Sequence, residues 1–272
     1  MSFGKPTPQL CEGLLPLAGV ATLLVISWGY VAYMAWGMDN MEVAAEWWLM
    51  PRMNNWDGVD VALVFGMWAI MMAAMMLPSA VPLLLLLART NSQPNSNAHA
   101  LLATSALTLG YVSSWAAFSA MATLAQWGLL EARLVSPMMA SSSPYLSALL
   151  LAAAGGYQFT NLKYACLSRC RSPLGALMTQ KRDDVAGAVL LGLSQGAYCV
   201  GCCWLLMALL FVLGVMNLYW IAVLTLLVLL EKLLHWPRRF VQFTGAALLV
   251  WAVLVAGLVT LQFPFHTGVG GA

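Results

Sequence analysis

Three thiols fall within five residues, Cys199-Val-Gly-Cys202-Cys203, inside a stretch apolar enough to lie in a lipid bilayer. On a helix these positions are i, i+3 and i+4, so the sulfurs project from one side over a single turn. Thiols at this density point to soft-metal binding or thiol redox chemistry. The competing reading is that Cys is simply a small, buriable residue. A second soft-donor pattern lies upstream: Met67, Met71 and Met75 recur at every fourth position, with Met72 and Met76 beside them. Met207 follows Cys203 by one turn. Thioethers suit Cu(I), although Met also fills irregular gaps between helices. Cys199, Cys202 and Cys203 are thus the candidate primary ligands, and Met67, Met71, Met75 and Met207 the candidate accessory ones.

A further cluster stands apart from these. Cys166 and Cys170 form an i, i+4 pair on the same helical side as Lys163, and Glu231 and His235 form another. Cys166, Cys170, His235 and Glu231 together would suit Zn(II), or another borderline ion, in ligand type. In a copper-handling protein Cys166 and Cys170 would be an inner relay or exit site. Alternatively, Glu231 pairs with Lys163 or Lys232 and His235 sits at the membrane interface. Ionisable groups near lipid are costly and functional by default. No Walker loop, HExxH, GxSxG or protein-kinase signature occurs, so nothing argues for a hydrolase or an NTP-driven pump. His99, His266 and Cys11 are isolated and receive no role.

These groups must be positioned by membrane helices. The chain has 272 residues, 62% hydrophobic and 8% charged, whereas soluble domains carry about 25% charged residues. Apolar runs of the length a bilayer requires recur along it. The expectation is one all-α domain over residues 1–272, a polytopic membrane helix bundle of about seven spans. These are Leu14–Trp36, Val59–Leu87, Ala98–Leu130, Tyr145–Tyr164, Val185–Gly214, Asn217–Leu234 and Phe240–Phe263. The first is too long for a signal-peptide core and is read as retained. The second, third and fifth exceed the bilayer, so they tilt or project.

Charge orients the bundle. With the N-terminus inside, the cytoplasmic segments hold Lys5, Arg89, Lys163, Arg169, Arg171, Lys181, Arg182, Lys232, Arg238 and Arg239, against Arg52 and Arg133 outside. That bias places the N-terminus in the cytoplasm and the C-terminus outside. The first outer loop is acidic (Asp39, Glu42, Glu46, Asp57), and Trp47, Trp48 and Trp56 read as an interfacial belt. No nucleic-acid motif is present.

Counting ~1.5 Å per residue from the span ends puts Cys199 level with Met67 in the outer half of the membrane. The same count leaves Cys166 and Cys170 at the inner face. Two separate sites are expected, and the metal reading then depends on contact between the second and fifth spans. Gly192 and Gly196 form a small-xxx-small pattern that would admit a neighbouring helix. Gln158, Asn161, Ser194 and Gln195 are candidates for bonds between helices.

The combination also resembles a known family. Its specific blocks are Trp68-x-x-Met71-Met72-x-x-Met75-Met76-x-Pro78-Ser79 and Lys163-x-x-Cys166-Leu167-x-x-Cys170-Arg171-x-Pro173. There follow Gly192-x-x-x-Gly196-x-Tyr198-Cys199-x-Gly201-Cys202-Cys203-Trp204-x-x-Met207 and Glu231-Lys232. Over roughly Val59 to Lys232 the chain is similar to the DUF2182 family, predicted metal-binding integral membrane proteins of bacteria. The resemblance implies a multi-pass protein of the bacterial inner membrane. The leading expectation is a non-enzymatic protein handling Cu(I) in transport, storage or cofactor delivery. The alternatives are a structural or assembly subunit of a larger membrane complex and a membrane thiol oxidoreductase using Cys199 and Cys202. The candidate partners are the lipid bilayer and a membrane protein or second copy of this chain.

Overall fold

The computed structural model describes residues 14–39, 57–90, 97–134, 143–172, 175, 184–234 and 237–262. Among them all extended regular structure is helical. The helices are α1 (Leu14–Asp39), α2 (Gly58–Thr90), α3 (Asn97–Glu131), α4 (Pro144–Tyr157) and α5 (Asn161–Cys170). They continue as α6 (Val185–Ala208), α7 (Leu210–Leu213), α8 (Leu218–Leu233) and α9 (Pro237–Gln262). Five segments are long and apolar enough to cross a membrane: α1, α2, α3, α6 with α7, and α9. The acidic loop residues Glu42 and Glu46, the three loop Trp residues, His235 and Cys11 lie outside the described residues.

The expected fourth span is two helices. Gly155 and Gly156 are poor helix formers. After them the N–H groups of Gln158, Phe159 and Thr160 bond carbonyls only three residues back, at 3.0–3.2 Å. The Thr160 hydroxyl then accepts from the Lys163 N–H and starts α5. The expected break after the fifth span is present: Gly214 has φ 92°, and the Asn217 side chain caps α8 by accepting from the Tyr219 and Trp220 N–H groups.

The chain divides into two compact units, the described residues of Met1–Met121 with Cys166–Gly201 and those of Ala122–Ala165 with Cys202–Ala272. In the first, α3 and α6 run in the same direction with their backbones in contact. A Cβ added at Gly110 would strike the Val189 carbonyl, and one at Gly192 the Leu107 carbonyl. One at Gly196 would lie 2.7 Å from the Ser114 side chain. The Ser114 hydroxyl donates across this crossing to the Leu193 carbonyl at 2.9 Å. Close approach replaces the hydrophobic driving force that lipid does not supply. In the second unit α4 packs on α9, where the same test at Gly155 meets Leu249 and the Gly245 carbonyl.

Candidate metal centre

The site in the first unit is built around a proline inside α2. Pro78 lies inside α2 and has no N–H for the Ala74 carbonyl one turn earlier. The Trp28 indole N–H from α1 donates to that carbonyl instead, at 3.1 Å. Just beyond, the Ser79 hydroxyl donates to the Met76 carbonyl at 2.7 Å. The Tyr111 hydroxyl from α3 reaches the same carbonyl at 3.0 Å. Tyr111 Oη lies 3.0 Å from Cys199 Sγ, and Ser79 Oγ lies 3.2 Å from Tyr111 Oη and 4.0 Å from the sulfur. Three helices thus bring two hydroxyls and one carbonyl to a fully buried thiol.

The expected contact between the second and fifth spans is therefore made, but in a different register. Cys199 meets Ser79 and not the level of Met67, which lies nine residues, or about 13 Å, up α2 from Met76. Counting depth from helix ends fails because α2, at 33 residues, is longer than a bilayer needs. Its ends do not mark the lipid boundary. The methionine stripe still leads to the thiol, since Met67, Met71, Met75 and Ser79 recur at every fourth position. Met67, Met71, Met72, Met75 and Met76 are all at most 2% exposed.

Cys202, Cys203 and Met207 continue along α6, and each is as deeply buried as Cys199. Cys166 departs from its expected depth. Its Sγ would touch a Cβ at Gly201, at 3.0 Å, so the glycine leaves room for the thiol beside α6. The Arg169 guanidinium donates to the Tyr198 hydroxyl at 2.6 Å, and the Gln195 amide to the Cys170 carbonyl at 2.9 Å. Hence α5 runs antiparallel to α6, with Cys166 level with the thiol motif. The break at 158–160 makes α5 an independent helix, so its depth cannot be counted from Tyr145. At about 100° per residue, Gly201 faces roughly 160° away from Cys199 and Cys203. Cys166 therefore lies near the level of Cys199 but against a different face of α6.

The four-residue zinc cluster finds no support. In the second unit Lys163 Nζ pairs with Glu231 Oε2 at 2.8 Å, and Gln158 Nε2 donates to Glu231 Oε1 at 3.1 Å. Lys163 and Glu231 are 0% and 1% exposed at their side chains. Both carboxylate oxygens are thus engaged, which is the ion-pair alternative for Glu231. Among the described residues no group of three or more His, Cys, Asp and Glu side chains is placed to hold a metal ion. The hydroxyls of Tyr111 and Ser79 and the amide of Gln158 complete these clusters. Of the three, Tyr111 is the one the motifs left unmarked; its signal is a phenol at mid-helix, away from the interfaces where Tyr is enriched.

The fold and its interior define a class: a multi-pass helical membrane protein with buried sulfur side chains at Cys199, Cys202, Cys203, Met207 and along α2. The chain belongs to the PpoB2 family of copper chaperones, whose sequence model matches residues 65–255. This family is copper-related, although its name is not DUF2182, and the matched span runs beyond Lys232 into α9. The chain matches no curated protein and no solved structure.

Proposed function

We propose that this protein is a membrane copper chaperone that holds Cu(I) on sulfur donors within its helices for transport, storage or delivery. Cys199, Cys202 and Cys203 are its primary ligands, and Met67, Met71, Met75 and Met207 its accessory ones. The observation that carries this reading is the joint burial of all seven, at 2% exposure or less. Lipid is as apolar as Leu, so no transfer free energy drives sulfur side chains inward in preference to hydrocarbon ones. Soft sulfur donors select Cu(I), and the family description supports the same metal. The stripe from Met67 to Met75 serves as the approach to Cys199. Cys166, beside Gly201 of α6, and Cys170 serve as a relay pair. The protein lies in the bacterial inner membrane.

Copper content after loading under reducing conditions tests the proposal. The purified wild type is expected to retain Cu(I), and a Cys199→Ser, Cys202→Ser, Cys203→Ser variant to lose most of it. Equal and negligible copper in both proteins would overturn the reading.

A further inference from the structure

We infer that Tyr111 is a positioning residue for the Cys199 sulfur, with the Ser79 hydroxyl beside it; the inference rests on Cys199 being a copper ligand. The distances around this sulfur fit one consistent assignment of hydrogens. With a thiol present, Cys199 S–H donates to Tyr111 Oη across 3.0 Å. Tyr111 O–H then donates to the Met76 carbonyl at 3.0 Å, and Ser79 O–H to the same carbonyl at 2.7 Å. Every hydrogen has an acceptor. When Cu(I) takes the place of the thiol hydrogen, that proton leaves to solvent, and the sulfur keeps lone pairs and no hydrogen. A thiolate accepts but cannot donate, so the phenol must reverse and donate to it. Tyr111 Oη is already within reach, and rotation of its O–H is the only movement required. The Met76 carbonyl is not abandoned, because Ser79 continues to donate to it and it lies within the hydrogen-bonded ladder of α2.

The hydroxyl pair therefore holds the same sulfur in both states without leaving a buried acceptor unserved. An unmade bond to a buried polar group carries its full desolvation penalty, and hydrogen-bonding partners behind a ligand commonly change metal affinity by about 10–100-fold. A Phe at position 111 would keep the buried ring and remove only the hydroxyl. An Ala at position 79 would keep the phenol and remove the hydroxyl 3.2 Å from it.

The test uses the full chain in detergent, with Cu(I) affinity measured against a competing chelator. The S–H stretching band of Cys199 is identified in the metal-free protein by difference from Cys199→Ser. Tyr111→Phe is expected to bind Cu(I) about 10–100-fold more weakly and to shift that band toward a free thiol. Ser79→Ala should weaken binding by a smaller factor and leave the band in place. The double variant should be no worse than Tyr111→Phe alone, because both act through one chain of bonds. Tyr219→Phe, an exposed phenol on α8, should change neither readout. Wild-type affinity with an unmoved band in Tyr111→Phe, while Cys199→Ser loses copper, overturns the inference and leaves the copper reading standing. Unchanged binding in Cys199→Ser instead removes Cys199 as a ligand. The band then decides the hydrogen bond by itself, and an unmoved band overturns it.

Discussion

Lys163 and Glu231 show how one residue pair can settle a local question. Two buried charges are tolerable when paired and hydrogen-bonded, and removing one partner strands the other at a cost of about 3–5 kcal/mol. Glu231→Ala should therefore destabilise the protein by that amount in a detergent unfolding titration. A Lys163→Met, Glu231→Leu double variant should lose much less, because no charge is stranded. Near-equal losses in the two proteins would mean that the pair stabilises the fold beyond mutual neutralisation. Met67, Met71 and Met75 illustrate the opposite case: their spacing shows in the sequence, but which sulfur or hydroxyl they approach does not. Spacing along one helix carries no information about the register of another.

At the scale of elements, the crossing of α3 and α6 sets the geometry at Cys199. Gly110, Gly192 and Gly196 let the backbones touch, which brings Tyr111 to the thiol. Gly192→Ala would press a methyl group into the Leu107 carbonyl. Overpacking of this kind typically costs about 1–3 kcal/mol, and here it also pulls the phenol from the sulfur. Gly66→Ala is the matched control, since nothing lies within 4 Å of a Cβ there. Helix propensity predicts that it is neutral or stabilising by up to about 1 kcal/mol. Unfolding midpoints of the two variants should separate in these directions, and equal midpoints would remove the crossing from the argument. The break between α4 and α5 is the element that sequence reading missed. Gly155 and Gly156 were visible, but the turn is completed by Thr160 and by a buried ion pair formed with a distant helix.

For the whole molecule, the remaining question is how many times the chain crosses the bilayer. Among the described residues five helical segments have the length and apolarity to do so. The same-direction contact of α3 and α6 calls for a return crossing between them, and α4 with α5 occupies that stretch of chain. The positive-inside bias predicts an inner N-terminus and an outer C-terminus. Reporter fusions at the two ends, read by enzymes active on one side of the membrane only, should give opposite signals. Matching signals would remove one crossing or add one, with α8 as the segment to reassign.

The sequence by itself determined the solvent and the donors. A chain 62% hydrophobic and 8% charged leaves lipid as its medium, and Cys and Met at helical spacing define a soft-donor interior before any coordinate is known. The positions of Gly192, Gly196 and Gly214 likewise announced a close crossing and a turn, because only backbone sterics are involved. Tertiary structure alone decided which groups meet. Cys199 joined Tyr111 and Ser79 in place of Met67, Cys166 rose to the level of Gly201, and Glu231 went to Lys163 and not to a metal. Each outcome depends on where helices cross or break, and these set the register of one helix against another without altering the periodicity of either.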